Sequence, residues 1–171
     1  EGEGICLAPA GNVFVTYDEA KHVVPYRWDP DHRTVIGIDW GTSHAYICAI
    51  KVDRSGRWVI ARERKVTETT VPRFREIVRE FVADVMADDR DRLPDLIACD
   101  GAVKEECRWL WGLFGNRTCV RWLGKDAEQG VSWGCNLIEY MLEPANDNRG
   151  TKLYLCDELD PSTDPETMGI R

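Results

Sequence analysis

Two aspartates stand where a strongly hydrated side chain is out of place. Asp39 closes the apolar run Val35-Ile36-Gly37-Ile38-Asp39-Trp40, and Asp100 closes Leu96-Ile97-Ala98-Cys99-Asp100. A carboxylate flanked by Ile, Ala, Cys and Trp loses hydration and needs hydrogen bonds or a cation in return. If the two runs are neighbouring strands of one sheet, both acids reach one point. Two like charges held there repel unless a divalent ion sits between them. Oxygen-only ligands suit Mg²⁺ or Mn²⁺ better than zinc. Each acid taken alone also has a structural reading, because a strand-end Asp often caps the following turn or helix and both acids here precede Gly. The pair, each member on its own buried strand, favours the metal.

Other chemically capable residues are less pointed. The seven Cys, at positions 6, 48, 99, 107, 119, 135 and 156, include no pair separated by only two residues, the spacing that zinc sites usually show. Several lie in apolar runs, where a free Cys acts as a small core residue, so reduced thiols of a cytoplasmic protein are expected. Lys104, Arg108, Arg117, Arg121 and Lys125 gather around one stretch, either as ordinary surface charges or as an edge that follows phosphates. Trp109 and Trp111 in the same stretch read as packing residues rather than base-stacking ones. His44, beside Asp39 in sequence, reads as a polar residue opening a strand.

The elements that must position the two acids follow from periodicity and punctuation. Residues 1–33 read as an irregular or edge-strand lead-in, with apolar runs at Asn12 to Tyr17 and at His22-Val23-Val24 before Pro25. Strands are predicted at Val35 to Trp40, His44 to Val52 and Arg57 to Glu63. The turn Asp53-Arg54-Ser55-Gly56 forces the last two to be antiparallel. A helix follows, capped by Thr69 or Thr70, with Pro72 in its first turn and an apolar stripe from Val71 to Val85. Then come a strand ending at Asp100, a helix from Val103 to Phe114 stopped by Gly115, and a strand from Thr118 to Leu123. A helix from Ser132 to Leu142 and an extended run from Lys152 to Cys156 complete the order, before an acidic tail from Asp157. Three antiparallel strands followed by strand–helix alternation predict an α/β fold, a mixed sheet of five strands or slightly more flanked by helices.

At this point the sequence resembles the C-terminal nuclease domain of the large terminase subunit of tailed bacteriophages, a ribonuclease H-like fold. Three pieces carry the resemblance. Gly11-Asn12-Val13-Phe14, Tyr17-Asp18 and His22-Val23-Val24 are similar to the segment leading into that domain. Ile36-Gly37-Ile38-Asp39-Trp40-Gly41 resembles its first strand, and Ile97-Ala98-Cys99-Asp100-Gly101-Ala102 the strand end that supplies its second acid. The resemblance implies a nuclease domain over residues 34–171 that cuts concatemeric double-stranded phage DNA with two Mg²⁺ or Mn²⁺ ions. Asp39 would bind both ions and Asp100 one; if the basic stretch is the edge that follows phosphates, Lys104, Arg108, Arg121 and Lys125 are its DNA contacts. It further implies an upstream ATPase motor, a portal ring and a small terminase subunit as partners, in the cytoplasm of a bacterial host.

The chain also departs from that family. A third acid is expected on a late helix in a stretch rich in His and Asp, and none precedes Arg171. The domain is therefore expected to be cut short, with the third acid beyond Arg171. The in-chain fallback is Asp157, Glu158 or Asp160, and activity is expected to be low or metal-hungry. No Gly-x-x-x-x-Gly-Lys-Ser/Thr loop is present, so the chain should not pump DNA.

Composition bounds the rest. The chain has 171 residues, 43% of them hydrophobic, enough for one domain that buries about two thirds of its unfolded surface. No apolar run approaches the ~18 residues needed to cross a bilayer, and Glu1-Gly2-Glu3-Gly4 has none of the marks of a secretory leader. With 22 Lys and Arg against 30 Asp and Glu, the net charge is −8, so any grip on nucleic acid needs a metal, a local basic patch or another domain. Three alternatives follow. A Holliday-junction resolvase shares the fold and metals but should be basic. A sugar-kinase-like phosphate loop, suggested by Gly37 to Ser43, needs a second half that this length lacks. An assembly module docking on a portal or small terminase subunit would suit the acidic charge.

Overall fold

A computed structural model of the chain describes residues 14–87, 92–100, 103–115, 119–123, 131–144, 151–157 and 159. The lead-in contributes a single helical turn, α1 (Glu19–His22), whose start is capped by Asp18, and a two-residue strand, β1 (Val23–Val24). An antiparallel meander follows: β2 (Arg33–Asp39), β3 (His44–Val52) and β4 (Trp58–Thr67). Then helices and strands alternate through α2 (Val71–Val85), β5 (Leu96–Asp100), α3 (Lys104–Phe114), β6 (Cys119–Leu123), α4 (Val131–Leu142) and β7 (Leu153–Cys156).

The described strands form one mixed sheet in the order β1-β7-β4-β3-β2-β5-β6. Its segment β4-β3-β2-β5-β6 has three antiparallel strands and then two parallel ones. This is the mixed sheet that the element order predicts, in the arrangement that the ribonuclease H-like resemblance implied. Beyond β4, β7 adds in parallel and β1 in parallel to β7. Residues of the lead-in and of the run after Lys152 thus share one side of the sheet, where sequence reading marked short extended runs without assigning their partners. The run Asn12 to Tyr17 takes the irregular of the two readings, since its described part from Phe14 is not a strand. The reason is local: the N–H and hydroxyl of Thr16 both donate to Glu139 of α4, at 2.7 Å, which replaces a ladder partner.

Two apolar layers sandwich the sheet. On one face Ile36, Ile38, Ile47 and Ile97 pack against Phe74 and Val78 of α2 and Leu110 of α3. On the other face, Ile60, Leu153 and Leu155 pack beneath Leu142 of α4. The helix α2 follows its sequence punctuation: Thr70 is the cap, its hydroxyl accepting from the Arg73 N–H at 3.4 Å, and its stripe of Phe74, Ile77, Phe81 and Val85 is buried. In the β3–β4 turn, Gly56 takes a left-handed φ of 83°, and the Asp53 carboxylate accepts from the Ser55 and Arg57 N–H groups at 2.8 and 3.0 Å. Cys48, Cys99, Cys107 and Cys156 form no disulfide with one another, and the Sγ atoms of Cys99 and Cys107 lie 3.6 Å apart. The side chains of Cys6, Cys119 and Cys135 lie outside the described set.

Candidate active site

The two acids become neighbours through the register of β2 and β5. These strands are parallel, with Val35 beside Leu96, Ile36 beside Ile97, Gly37 beside Ala98 and Ile38 beside Cys99. Asp39 and Asp100 are the next residue in each strand, so both occupy the carboxyl ends of adjacent parallel strands. That is the end of an open α/β sheet where ligands gather. The alternation of β2 explains why Asp39 stays accessible. Thr34, Ile36 and Ile38 are buried, the two isoleucines against α2 and α3, while Asp39 falls on the other phase and is exposed.

The chain just after Asp39 is pinned. A Cβ on Gly41 would lie 1.8 Å from the carbonyl oxygen of His44, so only glycine fits this connection. The loop is also tied to the segment entering α2, where the N–H groups of Glu68 and Thr69 donate to the carbonyls of Ser43 and Thr42 at 3.0 and 2.9 Å. Trp40 stands edge-on to Phe74 and to Trp109, with centroids 5.2 and 6.0 Å away. The guanidinium groups of Arg75 and Arg79 each lie 5.4 Å from the Trp109 ring. Trp109 is therefore a packing residue, as its sequence suggested, and Trp111 is exposed.

Beside the acids lies a row of opposed residues that sequence reading missed. Asp39 pairs across the ladder with Tyr46, and Tyr46 pairs with Lys65. Opposed residues of antiparallel strands share a face. The Tyr46 hydroxyl donates to Glu63, two residues from Lys65 on that face. Burial first, and then this hydrogen bond, hold the Tyr46 phenol far above its ordinary pKa, so it keeps its proton. Beneath it, burial pushes the Cys48 thiol up to about 11, and Cys48 Sγ lies 3.1 Å from the place of a Cβ on Gly37.

The remaining sequence candidates are dispersed. His44 is exposed and opens β3. Lys104 and Arg108 lie one turn apart on the exposed side of α3. The side chain of Arg121, on β6, and residues Arg117 and Lys125 lie outside the described set, as do Glu158 and Asp160. Asp157 is exposed in the turn after β7, its N–H donating to the Val24 carbonyl at 3.0 Å. Two strands, β4 and β3, separate β7 from β2, so Asp157 does not join Asp39, since strand spacing alone sets them about 14 Å apart. Among the described residues, no three His, Cys, Asp or Glu side chains stand close enough to hold an ion.

No protein-family model matches the chain, and no curated protein matches it. Among solved structures, the large terminase from a thermophilic bacteriophage (crystal form 2) matches with a TM-score of 0.63 and 16% identity, over 85% of this chain and 33% of that one. The chain shares its fold with a phage large terminase. The same protein in complex with ATP-gamma-S (crystal form 3) gives a TM-score of 0.60 and 16% identity, over 84% of this chain and 34% of that one. The chain thus spans about a third of the length of that large terminase. The g2p large terminase nuclease domain of bacteriophage SPP1 with bound Mn gives a TM-score of only 0.45 at 17% identity, over 81% of this chain and 65% of that one, too distant to argue from. The terminase resemblance carried by the short motifs around Asp39 and Asp100 is thereby borne out as a likeness of fold.

Proposed function

We propose that the chain is a divalent-metal-dependent DNA endonuclease domain of a viral packaging terminase, hydrolysing phosphodiesters of concatemeric double-stranded DNA. The observation that carries this reading is the placement of Asp39 and Asp100 at the carboxyl ends of adjacent parallel strands, in a fold shared with a phage large terminase. The donor chemistry fits a hard cation: the position is open to solvent at Asp39, and the two acids bring oxygen ligands only. Asp39 and Asp100 would hold Mg²⁺ or Mn²⁺. Two such ions supply, when bound, positive charge for water activation and for the departing 3′ oxygen.

The chain's own residues do the rest. The Gly41 connection and the Trp40 packing hold Asp39 at its strand end, so that little reorganisation is needed when substrate arrives. Lys104 and Arg108, on the exposed surface of the helix that follows Asp100, would face the backbone of the duplex. An ATPase motor, a portal ring and a small terminase subunit would be its partners in the host cytoplasm.

Supercoiled-plasmid nicking in Mg²⁺ or Mn²⁺, with EDTA as control, tests this. Asp39→Asn and Asp100→Asn should each lower the rate by about a hundredfold or more, since several kcal/mol of transition-state stabilisation is lost, while the circular dichroism spectrum is unchanged. Nicking that survives EDTA, or survives Asp39→Asn, would refute the proposal. A four-way junction cut in preference to linear duplex would move the assignment to a resolvase.

A further inference from the structure

We propose that Lys65 is the phosphate-binding cation of this site, holding a DNA phosphodiester above Tyr46 and beside Asp39; the inference rests on the nuclease reading and deepens it.

The geometry is a row across three strands: Asp39 on β2, Tyr46 on β3 and Lys65 on β4. Adjacent strands are about 4.8 Å apart, so one half-buried tyrosine separates the acid from the base of the lysine. The four-carbon stem of a lysine spans that width and carries the ammonium at its end. Tyr46 makes a fixed floor, because its hydroxyl is committed to Glu63.

The register selects Lys65 over its arginine neighbours. The ladder between β3 and β4 shifts by one residue at Ala49/Ile50. Beyond that irregularity Arg62 and Arg64 lie opposite Ala49 and Ile47, on the face covered by α2. There Arg62 pairs with Asp84, and Arg64 lies 3.9 Å from Glu80. Lys65 takes the opposite phase and is half-buried on the face of Tyr46 and Glu63. Of the three basic residues of β4, it alone shares a face with Asp39.

The chemistry calls for such a charge. A chain of net charge −8 that brings two carboxylates to one end of the sheet repels the polyanion it must hold. Metal ions answer part of that repulsion, and an ammonium within reach of the same phosphate answers more. Lysine serves as a point charge for phosphate without imposing the fixed fork of arginine.

The test uses the full 171-residue chain with Lys65→Met, which keeps the stem and removes the charge, and Lys65→Arg, which keeps the charge. Lys65→Gln replaces the methionine variant if that one unfolds. Binding of a labelled duplex of about 20 base pairs is followed by fluorescence anisotropy over a KCl series in Ca²⁺, and plasmid nicking is measured in Mn²⁺. Loss of one phosphate contact should reduce the slope of log affinity against log salt by about 0.9. Lys65→Met should show that reduction and nick at least tenfold more slowly, and Lys65→Arg should keep the slope. Wild-type slope and wild-type nicking in Lys65→Met would overturn the assignment and leave the nuclease reading standing. Conversely, a Lys65-dependent slope in a chain that never nicks would sink the nuclease reading and keep the phosphate site.

Discussion

A methyl group at position 41 has nowhere to go. It would meet the His44 carbonyl at 1.8 Å, and that carbonyl belongs to the first residue of β3, so the strand cannot retreat without losing its ladder to β2 and β4. Gly41→Ala should therefore destabilise the chain by about 1–3 kcal/mol, the usual penalty for overfilling a tight site. It should also slow nicking, because Asp39 sits two residues away. Gly112, in the middle of α3, is the contrasting case. Nothing lies within 4 Å of its missing Cβ, so Gly112→Ala should stabilise by about 0.5–1 kcal/mol through helix propensity alone. Urea unfolding of both variants checks the pair, and equal signs would show that the clash at position 41 is not what fixes the loop. At this scale the sequence is informative where chemistry contrasts with surroundings. Asp39 and Asp100 stand out among Ile, Ala and Cys, whereas Gly41 looks like any turn glycine until the neighbouring carbonyl is seen.

Helix α2 shows how an element can be read almost whole. Its cap, its proline and its apolar stripe are all local signals, and the structure places them at Thr70, Pro72 and the buried Phe74-to-Val85 face. Thr70→Ala should cost about 1 kcal/mol, the typical loss of an N-cap. Phe74→Ala should cost about 3–5 kcal/mol, because a fully buried ring is removed from beneath Trp40. Thermal or urea melts resolve these magnitudes, and near-equal losses would mean that Trp40 collapses into the space. The strands were less legible for a physical reason. Counting back from the Asp53–Gly56 turn without a break would put Arg64 opposite Tyr46. The shift at Ala49/Ile50 puts Lys65 there instead, and a one-residue slip exchanges the two faces of a strand. Nothing in residues 58 to 67 announces that irregularity. The pairing of β1 with β7 was also hidden, although both stretches read as short extended runs, since two and four residues of extended chain carry too little periodicity to reveal their partners.

For the whole molecule, the decisive quantity is charge. A domain at −8 and a DNA duplex repel at long range, and the exposed Asp39 adds to that repulsion at the point of contact. The nuclease reading therefore predicts opposite effects of one substitution under two conditions. Without divalent ions, Asp39→Asn removes a negative charge and should tighten duplex binding, by about 1 kcal/mol or less for a solvent-exposed pair, at most about fivefold. With Ca²⁺ present the order should reverse, because the wild type gains a bound cation beside the phosphate and the variant loses a ligand for it. A structural Asp39 that merely caps the Gly41 connection predicts no reversal in Ca²⁺, since Asn caps about as well as Asp and the loss of one surface charge acts alike in both buffers. Anisotropy titrations of wild type and Asp39→Asn, in EDTA and in Ca²⁺, separate the two. Parallel curves in both buffers would return the acid to the turn it precedes, and with it the case for a metal at this end of the sheet would fall.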